Sequence, residues 1–325
     1  MHKLIVHGGL HKTGTSALQR FFSINRNWLL SKGVVYPDPK PFDAHHEIAD
    51  LVRCSSVQEG KSILARFFEA TKSKEVEQTL LISSEIFSES VNPLVFSAVR
   101  DYFDEIEFVF YVRRQDELIE SAYKQQVRQN RERRRIWQYD PYMFDFFSHC
   151  DWFAQSVPAS KVFALEYKKE YFSGGSIFQD FCSRILKIPT LNGANTTCAQ
   201  VNRSLGPLSA ELIRRINSLE RELVDRENLI AALIESSEFE QSYRLTLIPD
   251  DFLEVIMKNV ENSNSRLRQK FLKSGDMIFK SENSGIFLSD QVFVDLMVEN
   301  KVADKIFKFF LCSKSDFEDS VFRGD

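Results

Sequence analysis

A chain of 325 residues can bury a sizeable core and sits just above the length at which a single α/β domain begins to split. Hydrophobic residues at 43% and charged residues at 27% are ordinary for a globular protein, and a net charge of −4 argues against a dedicated nucleic-acid binder, so any basic site must be local. The cysteines (Cys54, Cys150, Cys182, Cys198 and Cys312) are odd in number and scattered without a C-x-x-C pair, which suggests neither a disulfide framework nor a zinc site and leaves buried free thiols as the expectation.

The N-terminal run Met1-His2-Lys3-Leu4-Ile5-Val6 is too short for a signal peptide, and no apolar stretch is long enough to span a bilayer, so a cytoplasmic location is expected. Residues 4–7 read as a short buried strand, followed by the turn Gly8-Gly9-Leu10-His11-Lys12-Thr13-Gly14-Thr15. A helix is expected to start near Thr15, because Leu18, Phe21, Phe22, Leu29 and Leu30 recur at helical spacing, and Lys32-Gly33 supplies its stop. Residues 79–83, 106–112 and 162–165 read as further buried strands, alternating with helical stretches at 61–69 and 117–128. That alternation predicts an α/β fold with a central, mostly parallel sheet flanked by helices in three layers.

After about residue 190 the pattern changes. Residues 191–204 are rich in Asn, Thr and Gly, and a charged helix with the stripe Leu212, Ile216, Leu219 and Leu223 follows. Its charges (Glu211, Arg214, Arg215, Glu220, Arg221, Glu222) are most simply a solvated face. The expected organisation is a core over 1–190 and a helical C-terminal extension of the same domain over 191–325.

A strand running through a Gly-containing turn into a helix presents backbone N–H groups and the positive helix end to an anion. Gly9 and Gly14 have the spacing of a G-x-x-x-x-G-K-[ST] loop, but Thr15 stands where that loop requires lysine, and the lysine, Lys12, lies two residues before the second glycine. A nucleoside triphosphatase needs its lysine against the β/γ-phosphates beside magnesium. The run His11-Lys12-Thr13-Gly14-Thr15-Ser16-Ala17-Leu18-Gln19 instead resembles the 5′-phosphosulfate loop of the sulfotransferases that use 3′-phosphoadenosine-5′-phosphosulfate (PAPS), particularly the bacterial carbohydrate-type members.

The same resemblance extends to Phe110-Tyr111-Val112-Arg113-Arg114-Gln115-Asp116-Glu117-Leu118-Ile119-Glu120-Ser121. In the family a strand-end arginine and a serine eight residues later hold the 3′-phosphate, and Arg113 and Ser121 have that separation; Arg114 is the second choice. Many relatives have proline where Gln115 stands, which changes the local turn but removes no ligand. Weaker echoes are Gly33-Val34-Val35-Tyr36-Pro37, Ser83-Ser84-Glu85, Leu165-Glu166-Tyr167, Asn202-Arg203-Ser204 and Asn262-Ser263-Asn264-Ser265-Arg266-Leu267.

The resemblance implies a PAPS-binding, P-loop-like core in which His11, Lys12, Thr13, Gly14, Thr15, Ser16, Arg113 and Ser121 hold the donor and adenosine 3′,5′-bisphosphate is the product. It implies no metal and assigns Lys12 to the charge of the leaving group. For the base, Glu85 occupies the place after the strand at 79–83, while His45 and His46 are rivals because histidine titrates near neutrality. The implied acceptor is a glycan or a small hydroxylated molecule. The run Arg128, Arg131, Arg133, Arg134, Arg135 with Trp137, Tyr139, Tyr142, Phe144, Phe146 and Phe147 could line its cleft or could equally be a basic helix end beside core aromatics. No membrane span or nucleic-acid partner is expected, and the oligomeric state is left open. Two other functions are compatible with the loop: a nucleotide kinase with a degenerate P-loop, and a catalytically silent nucleotide-binding module.

Overall fold

A computed structural model describes residues 3–10, 12–71, 78–89, 91–100, 102–139, 145–197, 205–218, 226–235, 244–272 and 285–299. Among them the chain forms two compact units, one of residues 1–114, 144–201 and 261–278, the other of residues 115–143, 202–260 and 279–325.

The first unit is built on five parallel strands, β1 (Lys3–His7), β2 (Val34–Val35), β3 (Thr79–Ser83), β4 (Glu105–Val112) and β5 (Lys161–Glu166), in the spatial order β2-β3-β1-β4-β5. Strands buried on both faces need side chains apolar in both directions, which is why these segments read as continuous runs. Leu4, Ile5, Val6 and every residue from Phe108 to Val112 are fully enclosed.

Alternation along each strand sorts the two faces. Ile5, Leu81, Val109, Tyr111 and Leu165 lie against helices α1 (Thr15–Ile24), α2 (Arg26–Ser31) and, further along the chain, a helix over Ile177–Arg184. On the other face Phe108 and Phe110 meet Phe153 at ring separations of 4.9 and 5.1 Å, and Phe96 of a 3₁₀ turn (Pro93–Val99) stands edge-on to Phe108 at 5.3 Å. Phe153 belongs to an α-helix over Phe146–Ser156. The expected layered α/β arrangement is therefore the observed one. Helices α3 (His46–Arg53), α4 (Val57–Thr71) and the single turn α5 (Ile86–Glu89) lie between β2 and β4 in the chain. They are followed by α6 (Gln115–Gln129), α7 (the Phe146–Ser156 helix) and α8 (the Ile177–Arg184 helix).

Two local expectations are corrected. The run expected as one helix from Thr15 to the stop at Lys32-Gly33 is broken at Asn25, whose amide donates to the carbonyls of Phe21 and Asn195, both at 2.9 Å, and whose Oδ1 accepts from the Asn195 N–H at 2.7 Å. A short polar side chain that satisfies backbone groups locally competes with helix continuation, and here it also pins the 191–197 stretch. Of the thiols, Cys150 and Cys182 are buried as expected, but Cys54 is exposed just after α3; Cys198 and Cys312 lie outside the described residues.

The second unit is helical: α6, α9 (Pro207–Ser218), α10 (Arg226–Glu235) and α12 (Asp290–Glu299), with the short parallel pair β6 (Leu245–Thr246) and β7 (Ile286–Phe287). Its core includes Ile119, Tyr123, Val127, Leu212, Ile213, Ile216 and Phe293. The 21-residue helix α11 (Asp250–Lys270) begins in this unit and ends in the first. No helix among the described residues is long and apolar enough to cross a membrane.

The charges of α9 overturn the expectation of a solvated face. Glu211, Arg214 and Arg215 are 5%, 9% and 5% exposed. Glu211 takes a bidentate pair of bonds from Arg214, both 2.7 Å, and one from Arg215 Nε at 2.8 Å. Asp290 accepts from Arg135 at 2.7 Å and also pairs with Arg215. The Arg214 guanidinium also donates to the Arg133 carbonyl at 2.9 Å. The stripe positions Leu219 and Leu223, with Glu220, Arg221 and Glu222, lie outside the described residues.

Because removing one partner from a buried ion pair strands the other, Glu211→Gln should destabilise the protein by about 3–5 kcal/mol. Urea unfolding followed by circular dichroism reads this as a lower midpoint, and an unchanged midpoint would show the arginines to be solvated.

Candidate functional site

β1 pairs with β3 on one side and β4 on the other, all parallel, so three strand ends emerge side by side at one edge of the sheet. The chain leaves β1 for β2, beyond β3, and returns from β3 to β4 on the opposite side of β1. This is the switch in winding direction at which open α/β sheets form their ligand crevice. The loop of residues 8–14 follows β1, Ser84-Glu85 follows β3, and Arg113 follows β4.

The loop is closely packed from beneath. A side chain at Gly8 would come within 2.6 Å of the Phe110 ring, and one at Gly9 within 2.0 Å of Thr15. Thr13 and Thr15 hydroxyls both donate to the Leu10 carbonyl, at 2.7 and 3.1 Å, and so brace the loop. Lys12 and Gly14 both have positive φ, 62° and 76°. Such a conformation costs a non-glycine residue about 1–2 kcal/mol and is held here by the surrounding loop. At Gly14 a Cβ would also lie 2.7 Å from both Ile177 and Tyr167. Gly14 caps α1 with no side-chain acceptor, and its carbonyl takes the N–H groups of Ala17 and Leu18. Ser16 is exposed and Lys12 half-buried; His11 lies outside the described residues.

Arg113 reaches back to this loop. Its Nη1 is 3.4 Å from the Lys12 carbonyl, and its guanidinium lies over the Tyr167 ring at 5.7 Å. Tyr167 is fixed by its own N–H, which donates to the Val112 carbonyl at 2.7 Å. One aromatic ring thus backs both Gly14 and Arg113. Arg114 is half-buried beside it. Ser121 is half-buried on α6, in the second unit.

The candidate bases gather on the β3 side. Glu85 Oε2 accepts from Gln19 Nε2 at 2.9 Å, and Glu85 Oε1 is 3.9 Å from His46 Nε2. His46 Nδ1 lies 2.9 Å from Ser84 Oγ. Ser88 Oγ shares its proton between the carbonyls of Gly9, at 3.0 Å, and Glu85, at 2.9 Å, and so ties the anion loop to the turn that carries Glu85. Glu85 and His46, rivals in the sequence, are neighbours in the fold.

His45 has a different occupation. Its Nδ1 accepts the Ser83 N–H at 3.2 Å, its own N–H donates to the Ser83 carbonyl at 2.8 Å, and its ring stands edge-on to Tyr36 at 4.6 Å. Burial lowers its pKa to about 4.

Gln19, Ser84, Ser88 and Tyr167 received no role from the sequence. Gln19 carried the one available signal, since four residues after Thr15 it shares a face of α1 with the loop. The others are brought in by strand pairing alone. Two arginines of the basic run have partners within the fold: Arg134 pairs with Glu132 at 2.7 Å, and Arg135 binds Asp290 and lies over Trp137; Arg131 and Arg133 are exposed. Phe146 and Phe147 are core residues of the first unit, and Tyr142, Phe144 and Asn202-Arg203-Ser204 lie outside the described residues. Among the described residues no three His, Cys, Asp or Glu side chains are grouped to hold a metal ion.

No protein-family model matches the chain. An uncharacterized protein of Archaeoglobus fulgidus is 26% identical over 187 residues, which is 57% of this chain and 51% of that protein, so the likeness spans about half the relative's length. Among solved structures, retinol dehydratase in complex with androsterone and the inactive cofactor PAP aligns over 85% of this chain and 83% of its own, at 14% identity and a TM-score of 0.29. Agreement at that level shows neither a common fold nor a common activity.

Three histidines are held neutral in the first unit: burial lowers His7 from 6.5 to about 3 and His45 and His149 from 6.5 to about 4. Unfolded, each takes up a proton below about 6.5, so the unfolded chain binds more protons there and stability falls as the pH is lowered. Their contribution is complete above pH 6.5 and is lost progressively toward pH 4 for His45 and His149 and toward pH 3 for His7. The slope is about 1.4 kcal/mol per pH unit for each ring. Unfolding free energies measured through this window should show the slope reduced by about one proton in His149→Gln; an identical slope would mean that His149 titrates alike in both states.

Proposed function

We propose that the protein is a PAPS-dependent sulfotransferase that moves a sulfuryl group to a hydroxyl or amine of an acceptor, a glycan or small hydroxylated molecule, without a metal ion. The observation that carries this reading is the approach of Arg113 to the backbone of Lys12. Arg113, which follows β4, approaches the backbone of the glycine-bearing loop that follows β1 and carries Lys12, while the turn after the neighbouring β3 carries Glu85 close to His46. A donor with a 5′-phosphosulfate and a 3′-phosphate calls for two anion contacts of this kind, whereas a triphosphate calls for a lysine after Gly14, where Thr15 stands.

The donor set suits such a group. The helix N-terminus after Gly14 and the Lys12 ammonium would bear the charge of the leaving phosphate, and the planar guanidinium of Arg113 matches phosphate oxygens. Ser121 enters through its spacing from Arg113 in the sequence. Thr13 and Thr15 direct their hydroxyl protons at Leu10, so their contribution is the shape of the loop. In the transfer the bond from sulfur to the phosphate oxygen breaks and one to the acceptor oxygen or nitrogen forms. The acceptor proton passes to a base of the Glu85–His46 pair, and adenosine 3′,5′-bisphosphate leaves. His45 is set aside because its Nδ1 lone pair serves the Ser83 N–H.

A ligand that binds only the native state raises its melting temperature. Adenosine 3′,5′-bisphosphate should do so and ATP with magnesium should not; the reverse result would favour a nucleotide kinase. Arg113→Ala removes a charge-assisted contact of about 1.5–3 kcal/mol and should weaken bisphosphate binding roughly 10- to 150-fold by calorimetry. Unchanged affinity would take Arg113 out of the site.

A further inference from the structure

Resting on the sulfuryl-transfer reading, the hydrogen bonds around Ser84 assign different roles to Glu85 and His46. Ser84 is fully buried, and among the described residues its hydroxyl oxygen has two polar neighbours: the Ile86 N–H at 3.2 Å, which can only donate to it, and His46 Nδ1 at 2.9 Å. A serine hydroxyl carries one proton. If Nδ1 were protonated, Ser84 would accept twice and its own proton would be buried without an acceptor, an arrangement folded proteins avoid. All three groups are satisfied when Ser84 accepts from Ile86 and donates to Nδ1. The neutral imidazole then carries its proton on Nε2, the nitrogen that faces Glu85 Oε1 at 3.9 Å.

Glu85 is placed the opposite way. A carboxylate only accepts, so the Gln19 side chain must turn its NH₂ toward Oε2, and Gln19 is held in that position by being 4% exposed. The second oxygen faces the His46 N–H at 3.9 Å, about one ångström beyond a hydrogen bond. His46 in this form has no lone pair to offer an acceptor proton, because that of Nδ1 is taken by Ser84.

We infer that Glu85 is the proton acceptor and that His46 and Gln19 are positioning residues, two N–H donors that aim its carboxylate, with Ser84 setting the His46 tautomer. When the acceptor hydroxyl or amine forms its bond to sulfur, its proton passes to Glu85, and no proton moves through His46.

The tautomer is measurable without donor or acceptor. Two-bond proton–nitrogen correlation spectra of protein labelled with ¹⁵N-histidine, recorded across a pH series, distinguish a protonated from an unprotonated ring nitrogen; His46→Asn identifies the signals. The expected pattern is an unprotonated, hydrogen-bonded Nδ1 and a protonated Nε2. In Ser84→Ala the two nitrogen shifts should move toward one another as the tautomers mix. A protonated Nδ1 in the unsubstituted protein would overturn the assignment and make His46 the free base, and it needs no variant to fold. Shifts unaltered in Ser84→Ala would overturn the role of Ser84. Bisphosphate binding is unaffected by either outcome, so a failure here is distinct from a failure of the sulfotransferase reading.

Discussion

The parallel pairing of β1 between β3 and β4 is the constraint from which the site follows. Parallel neighbours end at the same edge, so the chain must turn three times within a small area, once after each strand. Each turn brings one kind of group: backbone N–H and Lys12 after β1, a carboxylate after β3, a guanidinium after β4. The strands are buried on both faces and cannot slip by one residue without turning apolar side chains into the wrong layer. The ends of β1, β3 and β4, from which the segments carrying Lys12, Glu85 and Arg113 depart, are therefore fixed by the sheet.

The apolar packing that secures the sheet creates a second demand, since polar groups carried into it must find partners. His7 at the end of β1 binds the Ser83 hydroxyl at 2.8 Å, and His45 binds the Ser83 backbone from the other side. Tyr111 donates to Asp180 at 2.7 Å inside the opposite layer, and Asp180 also takes the Ser173 N–H at 2.9 Å. Beside the site these bonds do more than satisfy the buried groups. Ser83 and Ser84 are consecutive, and alternate residues of an extended chain face opposite ways. One serine serves the structural histidines and the next serves His46.

Charge is handled differently in the second unit. Among the described residues, Arg135, Arg214 and Arg215 meet the carboxylates Glu211 and Asp290 and also contact the Arg133 carbonyl and the faces of Trp137 and Phe293. Guanidinium tolerates this because it is planar, delocalised and weakly hydrated. Of the basic run, Arg135 is thereby drawn into this network, while Arg131, Arg133 and Arg134 stay exposed.

What the sequence by itself determined is local. Continuous apolar runs marked four of the five sheet strands, because a strand buried on both faces cannot alternate; β2, two residues long, was legible only as part of the Gly33-to-Pro37 echo. Lys12 two residues before Gly14, and Arg113 at the end of β4, were readable because a loop or strand-end motif needs only a few consecutive residues. Tertiary structure decided whatever depends on partners far apart in the chain. His46 and Ser84 are 38 residues apart, Gln19 and Glu85 are 66, and Arg215 and Asp290 are 75. Nothing in either segment specifies the other; only the sheet order and the packing of helices on it bring them together. Thus His45 and His46, adjacent and alike in the sequence, were separated into a buried ring bound to the Ser83 backbone and a half-buried ring beside Ser84 and Glu85. Glu211, Arg214 and Arg215, which read as a solvated face, were enclosed because complementary charges met them inside the fold.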